Sequence, residues 1–199
     1  MDKQAQMQSI YDEVAALSES PLYAYRVENN YQPVIGEGSL DAKIVFIGEA
    51  PGANEAKQGR PFCGASGRVL DELLESIALK REDVYITNIV KDRPPDNRDP
   101  RKKEIALYSP FLERQLEIIQ PAVIATLGRF SMEFIFNLFE MAEKGEKISQ
   151  LHGKRLGVQT SYGEVAVVPL FHPAVALYTQ SQKETLLQDF QVLKALAEG

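Results

Sequence analysis

Cysteine, long apolar runs and surplus positive charge are all scarce in this chain of 199 residues. Cys63 is its only cysteine, which excludes an internal disulfide and a cluster held by several cysteine thiolates. No apolar run approaches the roughly 18 residues that span a bilayer. The first residues also lack the basic-then-apolar pattern of a secretory signal. These absences predict a cytoplasmic protein in a reducing compartment, with no membrane contact.

The net charge is −6, with 28 acidic against 22 basic side chains. A protein that coats nucleic acid neutralises many phosphates with Lys and Arg, so the charge argues against that class. It leaves room for an enzyme that holds a few phosphates through backbone N–H groups. The length and the 44% hydrophobic content suit one globular domain over residues 1–199.

Apolar runs alternate with amphipathic segments along the chain. The apolar runs predict four buried strands, near residues 43–47, 84–90, 122–127 and 164–170. Helical spacing predicts helices near residues 3–18, 67–77, 101–119, 129–143 and 182–197, whereas residues 20–38 are expected to be irregular. This alternation predicts an α/β fold: a three-layer α/β/α sandwich around a mostly parallel, four-stranded sheet.

Polar side chains stand at three of the four predicted strand ends: Glu49, Asn88 and His172. Ligands of open α/β sheets bind beyond the carboxyl ends of the strands, so a carboxylate, a carboxamide and an imidazole are expected to converge there. Each also has a structural interpretation: a solvated loop carboxylate, an amide bonded to loop backbone, and a satisfied, partly buried histidine. The glycine-rich loop after Glu49 lacks the endings of nucleotide-phosphate motifs, which argues against that class of ligand.

Four blocks of the chain resemble the family-four uracil-DNA glycosylases, and the likeness spans roughly residues 10 to 195. The matching segments are Gly48–Gly52 with Glu55, Gly59–Gly67, Thr87–Lys91 with Arg93–Arg98, and His172–Ala174. The resemblance implies a monofunctional DNA repair enzyme that flips uracil out of DNA, hydrolyses it from the sugar and leaves an abasic site. It implies uracil-containing DNA as the partner, and the sequence gives no reason to expect an oligomer.

The resemblance also assigns roles to individual residues. Glu49 matches the carboxylate beside the sugar and His172 the donor to uracil O2, which makes these two the catalytic residues. Phe62 matches the aromatic on which uracil stacks, and Asn88 the amide that reads its edge. The remaining expected contacts are Gly48, Ala50, Pro51 and Gly52 around the base; Gly64, Ala65, Ser66, Gly67, Pro173 and Ala174 on DNA phosphates; and residues 175–178 as the wedge.

The chain departs from this family where the family holds an iron–sulfur cluster. The four cysteine positions correspond to Leu17, Ser20, Asp92 and Tyr108, so no cluster, metal or other cofactor is expected. Leu17 and Tyr108 are expected to fill the vacated volume with apolar groups. His152-Gly153 stands where an Arg-Gly pair is common, and no arginine follows His172, which predicts weaker DNA affinity.

Two other functions remain open at this stage. One is a catalytically weak homologue that binds DNA or a partner protein, and the other is a glycosylase for another damaged base. The retained Asn88 favours uracil over another base, and the intact Glu49 and His172 disfavour a drifted binder.

Overall fold

The computed structural model describes residues 2–198 as helices packed around one sheet. Its α-helices are α1 (Lys3–Ala15), α2 (Pro21–Glu28), α3 (Ala53–Gln58), α4 (Ala65–Ser76), α5 (Lys102–Ile119), α6 (Arg129–Leu138), α7 (Ile148–Leu151) and α8 (Gln180–Glu198). Its strands are β1 (Glu37–Gly38), β2 (Ile44–Gly48), β3 (Tyr85–Asn88), β4 (Val123–Leu127), β5 (Leu156–Thr160) and β6 (Gly163–Leu170). None of the helices within residues 2–198 combines the length and apolarity needed to cross a membrane.

The sheet has the strand order β1-β3-β2-β4-β6-β5. The four inner strands are parallel, and they are the four predicted from the sequence. The expected number of four strands is corrected to six, because β1 and β5 add antiparallel edges. β1 spans two residues, and β5 alternates half-buried and exposed positions, so neither forms an apolar run.

Both faces of the sheet are covered, which gives the three predicted layers. Side chains of β2 point alternately to the two faces: Ile44 and Phe46 pack with α4 and α8, whereas Val45 and Ile47 pack with α1, α5 and α6. The ring of Phe46 stacks on Phe190 of α8 with 5.8 Å between centroids. Burial on both faces explains why the inner strands read as unbroken apolar runs.

Helix α2 lies in the stretch that was expected to be irregular. Ser20 caps it, because its Oγ accepts a hydrogen bond from the Leu22 N–H at 3.1 Å, and Pro21 occupies the first helical position. Serine followed by proline is a recognised helix start, so the signal was present in the sequence. Helix α6, in contrast, ends at Leu138 rather than near residue 143, and Glu140 then takes a left-handed backbone conformation with a φ of 49°.

Candidate active site

The carboxyl ends of β2, β3 and β6 surround a cavity of about 180 Å³. β2 and β3 pair in parallel with Gly48 opposite Asn88, which brings the two strand ends to the same level. The cavity is smaller than the roughly 300–1,000 Å³ of pockets for drug-sized ligands and suits one small ring. Its lining residues are Ala50, Gly52, Glu55, Phe62, Ser66, Asn88 and His172. A more open depression of about 840 Å³ lies elsewhere, beside α4, and includes none of these side chains.

Asn88 presents an unpaired carboxamide to this cavity. The residue is 2% exposed, yet its side chain makes no hydrogen bond to any residue between 2 and 198. A Cβ on Gly48 would lie 2.3 Å from Asn88 Oδ1 and 2.8 Å from the Phe62 ring, so only glycine leaves room here. The carboxamide therefore keeps both its donor and its acceptor for a ligand, instead of bonding to loop backbone.

Phe62 is held on the cavity wall through its main chain. Its φ of 48° lies in the left-handed region, and a Cβ on Gly67 would lie 1.7 Å from its carbonyl oxygen. Arg81 donates from Nη1 to the Phe62 carbonyl at 3.0 Å and from Nη2 to the Pro61 carbonyl at 2.6 Å. The Phe62 ring lies 5.6 Å from the imidazole of His172, tilted by 30°. An aromatic face and an imidazole thus share one wall of the cavity.

His172 is fixed in one tautomer by its own turn. Its Nδ1 accepts the N–H of Ala174 at 3.1 Å, which leaves the proton on Nε2. Burial lowers the pKa of His172, and the nearby Glu55 carboxylate opposes this effect. The group available to a ligand is therefore a neutral imidazole with an Nε2–H donor.

Glu55 is a site residue whose role the sequence did not reveal, although it belongs to the first of the matching segments. Its Oε1 accepts the N–H groups of Cys63 and Gly64, each at 3.1 Å, and so closes the glycine-rich loop. A Cβ on Gly52 would lie 2.7 Å from its Oε2, which accounts for the glycine at that position. Glu55 lies in the short helix α3, just before the glycine-rich segment, and an acidic residue so close to a run of N–H groups that need acceptors was the available signal.

Glu49 directly follows β2 and is half-buried; it is next in sequence to Ala50 of the cavity lining but is not itself one of the lining residues. Burial raises the pKa of its carboxyl to about 7, the negative charge of Asp99 adds to the rise, and the guanidinium of Arg129 opposes it. Asp99 belongs to the loop after β3, and Arg129 opens α6 after β4. Glu49 therefore responds to charges from two neighbouring strand ends and titrates near neutral pH.

The N-terminus of α4 offers free backbone donors next to the cavity. Within residues 2–198, the N–H groups of Ala65, Ser66 and Gly67 have no acceptor, and no side chain caps the helix. The N–H of Gly64 does not belong to this set, because Glu55 accepts it. A helix end of this kind attracts anions through both its free donors and its dipole.

The expectation that Pro173 and Ala174 bind DNA phosphates through free backbone N–H groups is corrected by the turn after His172. Pro173 has no N–H, Ala174 donates its own to His172 Nδ1, and Val175 donates to the His172 carbonyl at 3.0 Å. None of the three is a free donor, because the turn spends its N–H groups on orienting the imidazole. Beyond it, Leu177 and Tyr178 project outward with 50% and 83% of their surface exposed.

Three of the four positions at which the resemblance implies cluster cysteines, Ser20, Asp92 and Tyr108, form a hydrogen-bonded group. Tyr108 donates to Asp92 Oδ2 at 2.6 Å and its hydroxyl lies 2.9 Å from Ser20 Oγ, while Leu17 packs against the apolar core. The expected apolar filling is thus corrected: the Tyr108 ring is buried, but its hydroxyl joins two polar side chains. These groups offer no thiolates and are bonded to one another, so they do not fit an iron–sulfur cluster. Nor do residues 2–198 contain three His, Cys, Asp or Glu side chains grouped to hold a metal ion.

His152 is held at the same edge of the sheet, where an Arg-Gly pair is common in the resembled family. Its Nδ1 lies 2.8 Å from Asp189 Oδ2, and its ring lies 4.5 Å from that of Phe171, tilted by 35°. Gly153 has a φ of 70°, and a Cβ there would lie 2.3 Å from Asp189 Oδ1. His152 and Gly153 are therefore held in place by Asp189 and Phe171, and Phe171 directly precedes His172.

Comparison with known proteins assigns the family. A family model for the uracil DNA glycosylase superfamily matches residues 35–194. A type-4 uracil-DNA glycosylase of Archaeoglobus fulgidus is 46% identical over 172 residues, 86% of this chain and 84% of its own length. One of Sulfurisphaera tokodaii is 42% identical (96% of this chain, 84% of its own) and one of Thermotoga maritima 38% (95% and 93%). This chain therefore belongs to the uracil DNA glycosylase superfamily.

Proposed function

We propose that the protein is a monofunctional uracil-DNA glycosylase, which hydrolyses the bond between uracil and deoxyribose in DNA and leaves an abasic site. The observation that carries this proposal is the unpaired Asn88 carboxamide facing a cavity sized for one small ring. The relatives named type-4 uracil-DNA glycosylase, matched over most of the chain, support the same activity.

Base recognition follows from Asn88 and Phe62. A uracil rotated out of the helix stacks on the Phe62 ring, a contact that typically contributes about 1–3 kcal/mol. The Asn88 amide donates to uracil O4 and accepts from its N3–H. Cytosine presents a donor at C4 and an acceptor at N3, so the same amide orientation leaves both groups unpaired and rejects it. Ala50 and Gly52 line the remaining side of the cavity, and the backbone of the neighbouring Gly48 and Pro51 is expected to contact the base as well.

Bond cleavage uses His172 and Glu49. The bond between C1′ and the base nitrogen breaks, and its electron pair leaves with uracil as a delocalised anion. The Nε2–H of His172 donates to uracil O2 as negative charge develops there, so no strong acid is needed. Water adds to C1′, and the Glu49 carboxylate stabilises the oxocarbenium character of the sugar and accepts the water proton.

The surrounding surface holds the DNA. The free N–H groups of Ala65, Ser66 and Gly67 bind a phosphate next to the flipped nucleotide. The exposed Leu177 and Tyr178 act as the wedge that fills the vacated stack. The chain acts as a single domain and a monomer, with uracil-containing DNA as its partner.

The test is excision from defined oligonucleotides. Single-stranded and U·G duplex oligonucleotides, incubated with the protein in EDTA and then treated with alkali, are expected to break at uracil. The Asn88→Asp variant is expected to accept cytosine as well, because a carboxyl group can pair with the cytosine edge. Binding without strand breaks would instead identify a non-catalytic DNA-binding homologue, and an unchanged base preference in the variant would remove Asn88 as the base reader.

A further inference from the structure

Directly behind the base-reading residue, a lysine is buried completely. Lys91 is 0% exposed. Its Nζ donates to Thr87 Oγ1 at 2.8 Å, to the carbonyl oxygen of Asn88 at 2.7 Å, and to Gln115 Oε1. Thr87 Oγ1 donates onward to the Ile35 carbonyl at 2.6 Å, so it must accept from the amine. Three oxygens thus satisfy the three N–H donors of an ammonium group.

The placement is costly, and no acidic partner offsets the cost. Within residues 2–198 no carboxylate forms an ion pair with Lys91, and burial lowers the pKa of its amine well below the ordinary value. An apolar side chain of similar length would fill the same volume without this desolvation cost. The amine is therefore not explained by packing, and its contacts indicate what it does.

One of those contacts is to the main chain of the residue that faces the cavity. Asn88 is the last residue of β3, and Lys91 closes the turn that leads away from it. The same turn supports the second strand end, because the Val90 N–H donates to the Glu49 carbonyl at 3.0 Å. The Val34 N–H anchors the turn from outside by donating to the Lys91 carbonyl at 2.8 Å.

We propose that Lys91 is a positioning residue for base recognition: its side chain fixes the Asn88 peptide, and with it the direction of the Asn88 carboxamide, before the base arrives. This inference rests on the proposed function. A carboxamide without hydrogen bonds of its own is directed by its backbone and by the groups packed around it, so a fixed peptide supplies part of the order that hydrogen bonds would otherwise give.

The test compares readouts that need the base with one that does not. In Lys91→Met, the single-turnover rate of uracil excision is expected to fall by about tenfold, the worth of one buried hydrogen bond. The affinity for free uracil, measured by calorimetry, is expected to fall in parallel. Affinity for an oligonucleotide carrying an abasic analogue is expected to stay the same, because that ligand has no base for Asn88 to read. Equal losses in all three, or no loss at all, would overturn the proposal.

Two further variants test whether Lys91 positions Asn88 or only stabilises the protein core. Tyr85→Phe removes a buried hydroxyl that accepts from Gln115 Nε2 at 3.1 Å, at the far end of the same network, and is expected to leave uracil excision unchanged. Thr87→Val removes one acceptor of the amine and preserves shape, so it serves if Lys91→Met does not fold. A several-fold loss confined to the two base-dependent readouts is expected, and its absence would overturn the role of Lys91.

Measurements on the wild-type protein separate a failure of the proposed glycosylase activity from a failure of the role given to Lys91. If it neither excises uracil nor binds the free base, the proposed function fails and the role of Lys91 falls with it. If it does both and Lys91→Met behaves like wild type, only the role of Lys91 is overturned.

Discussion

At the scale of single residues, burial favours the neutral forms of both proposed catalytic groups, with opposite consequences. For His172 a lowered pKa yields the neutral donor that the proposed chemistry uses. For Glu49 burial raises the pKa to about 7, so part of the protein carries the inactive, protonated carboxyl at neutral pH. Under the proposed mechanism, the ionisation of Glu49 rather than that of His172 is therefore expected to limit excision.

The resulting prediction concerns the pH dependence of excision. The single-turnover rate is expected to rise with pH through about 7 and then level off, because the ionised Glu49 is the active form. Asp99→Asn removes a negative neighbour and shifts the midpoint to lower pH, whereas Arg129→Gln removes a positive neighbour and shifts it to higher pH. Rates that fall with rising pH, or midpoints that move together in the two variants, would contradict the role given to the Glu49 carboxylate.

At the scale of elements, a cluster of polar side chains joins α2, α5 and the loop after β3. Ser20 caps α2, Tyr108 lies in α5, and Asp92 follows directly on the buried Lys91. Arg26 of α2 completes the group, with its Nε 3.5 Å from Asp92 Oδ1. The hydroxyl of Tyr108 is its centre, because it contacts both Ser20 and Asp92. These contacts hold the loop that follows β3, the strand that ends at Asn88.

Removal of that hydroxyl is expected to destabilise the fold. Tyr108→Phe removes the one hydrogen bond that the buried Asp92 side chain makes within residues 2–198, a loss that typically costs about 1–3 kcal/mol. The measurement is the free energy of unfolding from urea titrations. Tyr23→Phe is the matched control, since the Tyr23 hydroxyl forms no hydrogen bond within the described part of the chain. Equal stability of the two variants would show that the polar group contributes no net stability.

At the scale of the whole molecule, a protein of net charge −6 has to bind a polyanion. The net charge does not attract a polyanion, so the proposed contacts are short-ranged: the free N–H groups of Ala65, Ser66 and Gly67, and the apolar surface of Leu177 and Tyr178. Backbone donors at a helix end need no exposed cation, so binding of this kind is compatible with an acidic protein.

The expected consequence is a weak salt dependence of DNA binding. Each phosphate neutralised by a Lys or Arg side chain contributes a slope of about −0.9 to the logarithm of affinity against that of salt concentration. Anisotropy titrations with a duplex that carries an abasic analogue are expected to give a slope shallower than about −3. A steep slope, near −6 or beyond, would require several cationic side chains on phosphates and would contradict backbone-based binding.

The sequence by itself determined the inner sheet and the edge at which the site lies. Apolar runs specify buried parallel strands locally, and parallel strands bring Glu49, Asn88 and His172 to one edge whatever the loops do. The single cysteine of the sequence likewise rules out a cluster held by several cysteine thiolates, because that ligation depends on residue type alone.

Only the tertiary structure decided which polar groups are engaged and which are free. The Asn88 carboxamide is unpaired, whereas the Ala174 N–H is spent on His172, and Lys91 is buried behind both strand ends. The roles of Glu55 and the bonded hydroxyl of Tyr108 became visible only there as well. Whether each of these polar groups is hydrogen-bonded depends on partners distant in sequence or on the conformation of a turn. Because hydrogen bonds are directional and short-ranged, the type of a residue and its place in a sequence pattern do not reveal its bonding.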